Sequence, residues 1–145
     1  MRKIVIVLLF VLLGVVAAYY LRHPLGAKVK IGDHVIPVEL AVTEDEKQRG
    51  LGFRPSLAPD HGMLFVYDHK EQFNFWMRGM QFPLDFIWID GGTIAEITPN
   101  IPAPKPGEQL RVYTPKSEID KILEVNAGMV EKYEIRVGDT VEYTN

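Results

Sequence analysis

Cysteine is absent from the 145 residues. That excludes disulfides, thiolate metal sites, a cysteine nucleophile and a lipid-modified N-terminal cysteine together. Serine is scarce: Ser56 and Ser117 are the only serines, and neither lies in a Gly-x-Ser-x-Gly turn, so a serine nucleophile has little support. No glycine-rich loop precedes a helix pattern, which removes the phosphate-cradling motifs. His23, His34, His61 and His69 are scattered, and no His/Asp spacing suits zinc or calcium. Neither a metal nor a cofactor is expected. Basic clusters are lacking as well. From Lys28 onward there are 13 Lys+Arg against 19 Asp+Glu, a net of about −6 with histidine neutral. Nucleic-acid affinity rests on neutralising phosphates, so no nucleic-acid partner is expected of this acidic part.

What the chain does have, first, is an uncharged apolar run. Met1-Arg2-Lys3 precedes Ile4 to Leu21, which as a helix spans about 27 Å, close to the roughly 30 Å hydrocarbon core of a bilayer. Tyr19 and Tyr20 suit an interfacial belt, Arg22 a charged stop, and Pro24 ends the helix. The expectation is a single-pass membrane protein anchored through residues 4–21, N-terminus inside and soluble part outside the cytoplasm. A cleavable signal peptide is the rival: Val16-Ala17-Ala18 offers small residues at a cleavage site, which would leave a secreted or periplasmic domain. The organisation read from this is an anchor or uncleaved signal over residues 1–22, a linker over 23–27 and one β-rich domain over 28–145.

Within that domain, Lys28–Ile31 and His34–Val42 read as strands joined by Gly32-Asp33, with Pro37 marking an edge strand or a bulge. Thr43-x-x-Glu46 is a capping box for a helix of about two turns that Gly50 stops. Met63–Tyr67 reads as a short strand, Asp68–Gln72 as a polar connection, and Phe73–Met77, Leu84–Ile89 and Thr93–Thr98 as further strands. Pro99, Pro102, Pro104 and Pro106 predict an extended loop. Leu110–Tyr113, Ile119–Val125 and Thr140–Tyr143 complete the strands, with a helical turn over Ala127–Tyr133. The pattern predicts a mainly β domain, barrel- or sandwich-like, with two short helices; α+β is the alternative.

Several short motifs then fall in order: Ala41, Arg49-Gly50-Leu51-x-Phe53-Arg54, Gly62-Met63-Leu64-Phe65, Phe75-Trp76-Met77, Pro83-Leu84-Asp85-x-Ile87, Leu123-Glu124-x-x-Ala127-Gly128 and Gly138-Asp139. With these the chain resembles the uncharacterised prokaryotic family called domain of unknown function 192, from about Lys28 to Tyr143. It departs from that pattern at Gly52, where methionine is usual, and at Met80, near where threonine is common. The resemblance implies a compact β-rich fold, often exported or membrane-anchored, and no established reaction.

Candidate chemistry centres on the apolar block Phe73–Asp90, which holds both tryptophans and one conspicuous carboxylate, Asp85. In a strand, Leu84, Phe86 and Trp88 share one face while Asp85, Ile87 and Ile89 share the other, so both faces are apolar and Asp85 is desolvated. It could be a general acid or base with a raised pKa, a ligand acceptor, or a structural acceptor of turn N–H groups, the Trp76 indole or an arginine. Glu124 could supply a second carboxylate for hydrolysis, or pair with Arg49, Arg54 or Arg111. Arg49 and Arg54, around a Gly-Leu-Gly-Phe turn, could clamp an anion or tie the turn down. Met63, Met77 and Met80, with Trp76 and His61 near, are the one copper-like grouping, and core packing is the reading preferred for them. The functional expectation is a binding module for a polar ligand, a carbohydrate or an envelope peptide, in a cleft formed by Trp76, Asp85, Arg54 and Arg49. The alternatives are a hydrolase using Asp85 and Glu124, and an envelope scaffold or assembly protein.

Overall fold

Glycine reversals set the strand order. The computed structural model describes residues 26–144 together with Leu13 and Gly14. Apart from those two, the expected membrane span lies outside the described residues; among them no helix is long and apolar enough to cross a membrane. β1 (Lys28–Ile31) turns at Gly32, φ 57°, into β2 (His34–Ala41). A helix α1 (Glu44–Arg49) follows, then β3 (Gly62–Glu71), β4 (Phe75–Trp76), β5 (Leu84–Asp90) and β6 (Thr93–Ile101). β7 (Val112–Tyr113), β8 (Ile119–Asn126), a short helix α2 (Met129–Lys132) and β9 (Val141–Thr144) complete the domain. The capping box forms as the sequence predicts: Glu46 N–H donates to Thr43 Oγ1, Thr43 N–H donates to Glu46 Oε2, and Gly50 at φ 48° ends α1.

Seven strands form one sheet in the order β6-β5-β8-β3-β2-β1-β9, while β4 and β7 pair as a separate ribbon. The large sheet curls into a half-barrel. Its edges meet at one end, where Thr93 bridges Thr140 and Val141 N–H donates to the Gly92 carbonyl at 2.8 Å. The fold is therefore mainly β with two short helices.

Three departures from the sequence reading have a clear physical reason. β3 runs on through Asp68–Glu71, because its outer half pairs again with β8 at Glu71↔Ile119 after an irregularity. β6 continues through Pro99 to Ile101; it is an edge strand, where the missing N–H breaks no ladder bond. Pro37 does not mark an edge strand. β2 lies between β1 and β3, and proline is tolerated because the parallel pairing with β3 begins one residue later, at Val38↔Gly62.

Every residue from Leu84 to Ile89 is buried, so β5 is covered on both faces. One face carries Leu84, Phe86 and Trp88 with Met63, Phe65 and Ile122, and packs under the turn after α1 and the β4–β7 ribbon. There Phe75 meets Phe65, Phe86 and Trp88 edge-on, with centroids 5.1, 5.8 and 5.7 Å apart. The other face carries Ile87, Ile89, Leu64, Leu123 and Val125, enclosed with Val29, Ile36, Ile94 and Val141 inside the curl and closed by Met129 of α2. Burying each large apolar side chain contributes roughly 1.5–3 kcal/mol, which makes this two-faced block the centre of stability.

Candidate functional site

The two buried carboxylates do not meet. Asp85 pairs across the sheet with Val125, and Glu124 with Phe86 and Met63. Directly paired residues share a face, so Asp85 belongs to the enclosed face with Val125, and Glu124 to the ribbon face with Phe86. The sheet stands between the two groups, so they do not face one another as an acid–base pair.

Asp85 is fully buried and satisfied by main-chain donors. Between Leu84↔Ile101 and Phe86↔Thr98, this single residue stands opposite Pro99 and Asn100, a bulge that leaves Asn100 with φ 55°. The freed Asn100 N–H donates to Asp85 Oδ1 at 2.7 Å. The other oxygen, Oδ2, accepts from Val130 N–H at 3.0 Å in the first turn of α2, whose Gly128 N-cap supplies no side-chain cap. Asp85 thus fastens the helix to the bulged edge strand and lines no part of the cleft near Trp76. Of the structural partners expected for it, main-chain N–H groups are the ones found, while the Trp76 indole and the arginines are elsewhere.

Glu124 is different. It is only 5% exposed, and among the described residues no hydrogen bond or ion pair reaches it. Burial alone pushes its carboxyl up to about 8, so at neutral pH the group is mostly protonated. It lines a cavity of about 460 Å³ between α1, β3, β4 and the loop after β4. Trp76, 44% exposed, forms part of its rim. Tyr67 and Phe73 stack at 3.6 Å between centroids on one wall, with Lys47 Nζ 4.2 Å above the Tyr67 ring and 3.1 Å from Glu44 Oε1. Burial, then the charges of Glu44 and Glu124, raise the Tyr67 pKa. His69, also lining the cavity, is held above its ordinary pKa by hydrogen bonds to Asp68 at 2.7 Å and Glu71 at 3.2 Å.

Arg49 lines this cavity, and so does Arg78, which sequence reasoning passed over. Neither pairs with an acid among the described residues. Gly52 brings them together: a Cβ there would stand 2.9 Å from the Arg78 carbonyl oxygen and 3.0 Å from that of Arg49. Arg54, by contrast, is committed to a two-pronged pair with Glu39, at 2.7 and 2.9 Å, and does not line the cavity. Arg111 lies over the Tyr113 ring at 5.1 Å. The predicted cleft therefore keeps Trp76 and Arg49, loses Asp85 and Arg54, and gains Glu124, Arg78, Tyr67 and Phe73. Two signals for the gains stand in the chain: Tyr67 continues the Met63, Phe65 alternation, and Arg78 follows Trp76 into a glycine turn. Met63, Met77 and Met80 are packed in the core, and His61 turns back to the Pro59 carbonyl at 2.8 Å.

A curled β sheet with a ribbon and a short helix roofing one polar-floored cavity defines the class. The chain belongs to the DUF192 family, described as "Uncharacterized ACR", whose model matches residues 27–143. Among solved structures it is similar to a proposed transcription regulator from Sinorhizobium meliloti 1021, with a TM-score of 0.71 and 31% identity over 81% of this chain and 91% of that one. It is also similar to a protein of unknown function from Novosphingobium aromaticivorans DSM 12444, with a TM-score of 0.70 and 29% identity over 83% and 89%. No curated protein matches the chain at a significant level.

Proposed function

We propose that the domain is a binding module for a polar ligand, a carbohydrate or an envelope peptide, seated in the cavity above Glu124. One observation carries this reading: a buried, unpartnered carboxyl forms the floor of an open cavity walled by aromatic rings. Burying a polar group without a partner costs free energy, and an arrangement that keeps such a group facing a cavity is accounted for by a ligand that completes it. The cavity volume lies within the roughly 300–1,000 Å³ usual for small-molecule sites. An uncharged run over Ile4–Leu21 supports the companion proposal that the domain is held at a membrane and faces outside the cytoplasm. The excess of acid over base from Lys28 onward opposes direct nucleic-acid binding, whatever the regulator description of the Sinorhizobium relative implies for that protein.

The test is a thermal-shift screen of the full chain against sugars and short peptides, repeated with Glu124→Gln and Trp76→Ala. A ligand that stabilises the wild type and loses its effect in both variants supports the reading. A ligand whose effect survives both substitutions places binding elsewhere and overturns it.

A further inference from the structure

This inference rests on the binding reading above and names the ligand's chemistry. We infer that the cavity takes a zwitterion, an amino acid or short peptide with free amine and free carboxylate, the amine meeting Glu124 and the carboxylate meeting Arg49 and Arg78. The argument starts from which charges the protein leaves open. Lys47 is occupied by Glu44, and His69 by Asp68 and Glu71. What remains among the described lining groups is one acid at the floor, Glu124, and two guanidiniums on the exposed side, Arg49 and Arg78.

These open groups differ in what they need. The arginines are exposed and satisfied by water, so they select a ligand without requiring one. Glu124 is only 5% exposed, at the cavity, and meets no donor among the described residues, so a group that reaches it brings donors into a place of low polarity. A ligand hydroxyl offers one neutral hydrogen bond. An ammonium offers three donors and an opposite charge, and charge-assisted bonds are roughly twice as strong as neutral ones. A purely anionic sugar would satisfy the arginines and leave the floor unmet. A molecule with a cation at one end and an anion at the other satisfies both. Gly52 lets the main chains at Arg49 and Arg78 come close, and both residues line the cavity, where a guanidinium fork matches a carboxylate. The Tyr67–Phe73 stack and Trp76 line the same cavity and suit an apolar side chain. The cavity's volume fits one or two amino-acid residues rather than a long polymer.

Isothermal titration of the full chain tests this with alanylphenylalanine, its N-acetyl and C-amide derivatives, and cellobiose as a neutral sugar. The free dipeptide should bind, and N-acetylation should weaken it by about tenfold or more, the loss of one charge-assisted contact. Amidation of the carboxylate should weaken it less, since the arginines are exposed. Because an amine would bind the ionised form of a floor carboxyl that is mostly protonated when free, binding near pH 7 should release protons, read from the buffer dependence of the enthalpy. Glu124→Gln should abolish both the proton release and the preference for the free amine. Equal affinity for free and acetylated dipeptide overturns the zwitterion. Binding of cellobiose but not of the dipeptide, lost in Glu124→Gln, overturns it too while the binding reading stands. Binding of any probe unchanged by Glu124→Gln and Trp76→Ala overturns both.

Discussion

Replacing Glu124 by glutamine should stabilise this protein increasingly as the solution becomes alkaline. In the unfolded chain the carboxyl ionises at its ordinary 4.5; in the folded domain, burial without a partner pushes it to about 8. Between those values the folded form holds a proton that the unfolded form has lost. Stability contributed by this group is therefore complete below about pH 4.5 and falls as pH rises toward about 8. At 1.36 kcal/mol per pH unit the full window is worth roughly 5 kcal/mol, an upper figure because the cavity's mouth admits water. Glutamine has nearly the same shape and no charge at any pH, so the variant escapes the loss. Urea denaturation of both proteins near pH 5, 7 and 9 measures it, and groups shared by the two cancel in the difference. For a domain of this size a few kcal/mol corresponds to a gap in Tm of roughly 10 °C that opens between about pH 5 and pH 9. Denaturation curves that stay parallel, with a difference constant to within about 0.5 kcal/mol across that range, would refute the claim that Glu124 is desolvated and unpartnered.

Asp85→Asn should behave in the opposite sense. Asparagine keeps one acceptor oxygen and turns an N–H donor toward either Asn100 or Val130, so roughly 3 kcal/mol of stability should vanish while ligand affinity of the folded protein is unchanged; urea denaturation beside titration calorimetry reads both. Arg54→Ala breaks a half-exposed pair with Glu39 and should cost at most about 1 kcal/mol, checked by a double-mutant cycle with Glu39→Ala. Gly52→Ala drives a methyl group against two carbonyl oxygens at 2.9 and 3.0 Å and should lower stability by about 1–3 kcal/mol and weaken binding at the arginine side, measured by thermal melts and titration.

The all-β character, the capped helix and the core block were legible in the sequence, since each is set by local chemistry. Thr43 and Glu46 can form a capping box only one way, and the run Leu84–Ile89 has no polar face to offer water. Asp85 was legible as a buried carboxylate but not as a helix fastener, because Asn100 and Val130 are brought to it by a bulge and by a helix 45 residues away in the chain. Sidedness was the larger obstacle. Both faces of β5 are apolar, so alternation assigns residues to two sets without saying which set looks at the cavity. The decision lies in the register of β8 against β5, and a slip of one residue would put Glu124 on the enclosed face with Asp85. Arg49 and Arg54 posed the same problem: only Glu39, on a strand before the helix, decides which of the two stays open.

What separates the two acids in the end is satisfaction rather than burial. Both residues are buried, and by exposure alone either could be a functional group. At Asp85 each oxygen accepts one main-chain N–H that the fold itself leaves over, one from a bulge and one from a helix start lacking its own cap. Substituting it exposes those unmet donors, so its role can be accounted for wholly within the chain. Glu124 meets no donor in the described protein, and leucine in its place would extend the apolar contacts of Phe86 and Met63 across the sheet. A fold needing only stability has no use for an acid there. On the proposed reading, the carboxyl at residue 124 meets a partner from outside the chain, which enters through the open cavity above it.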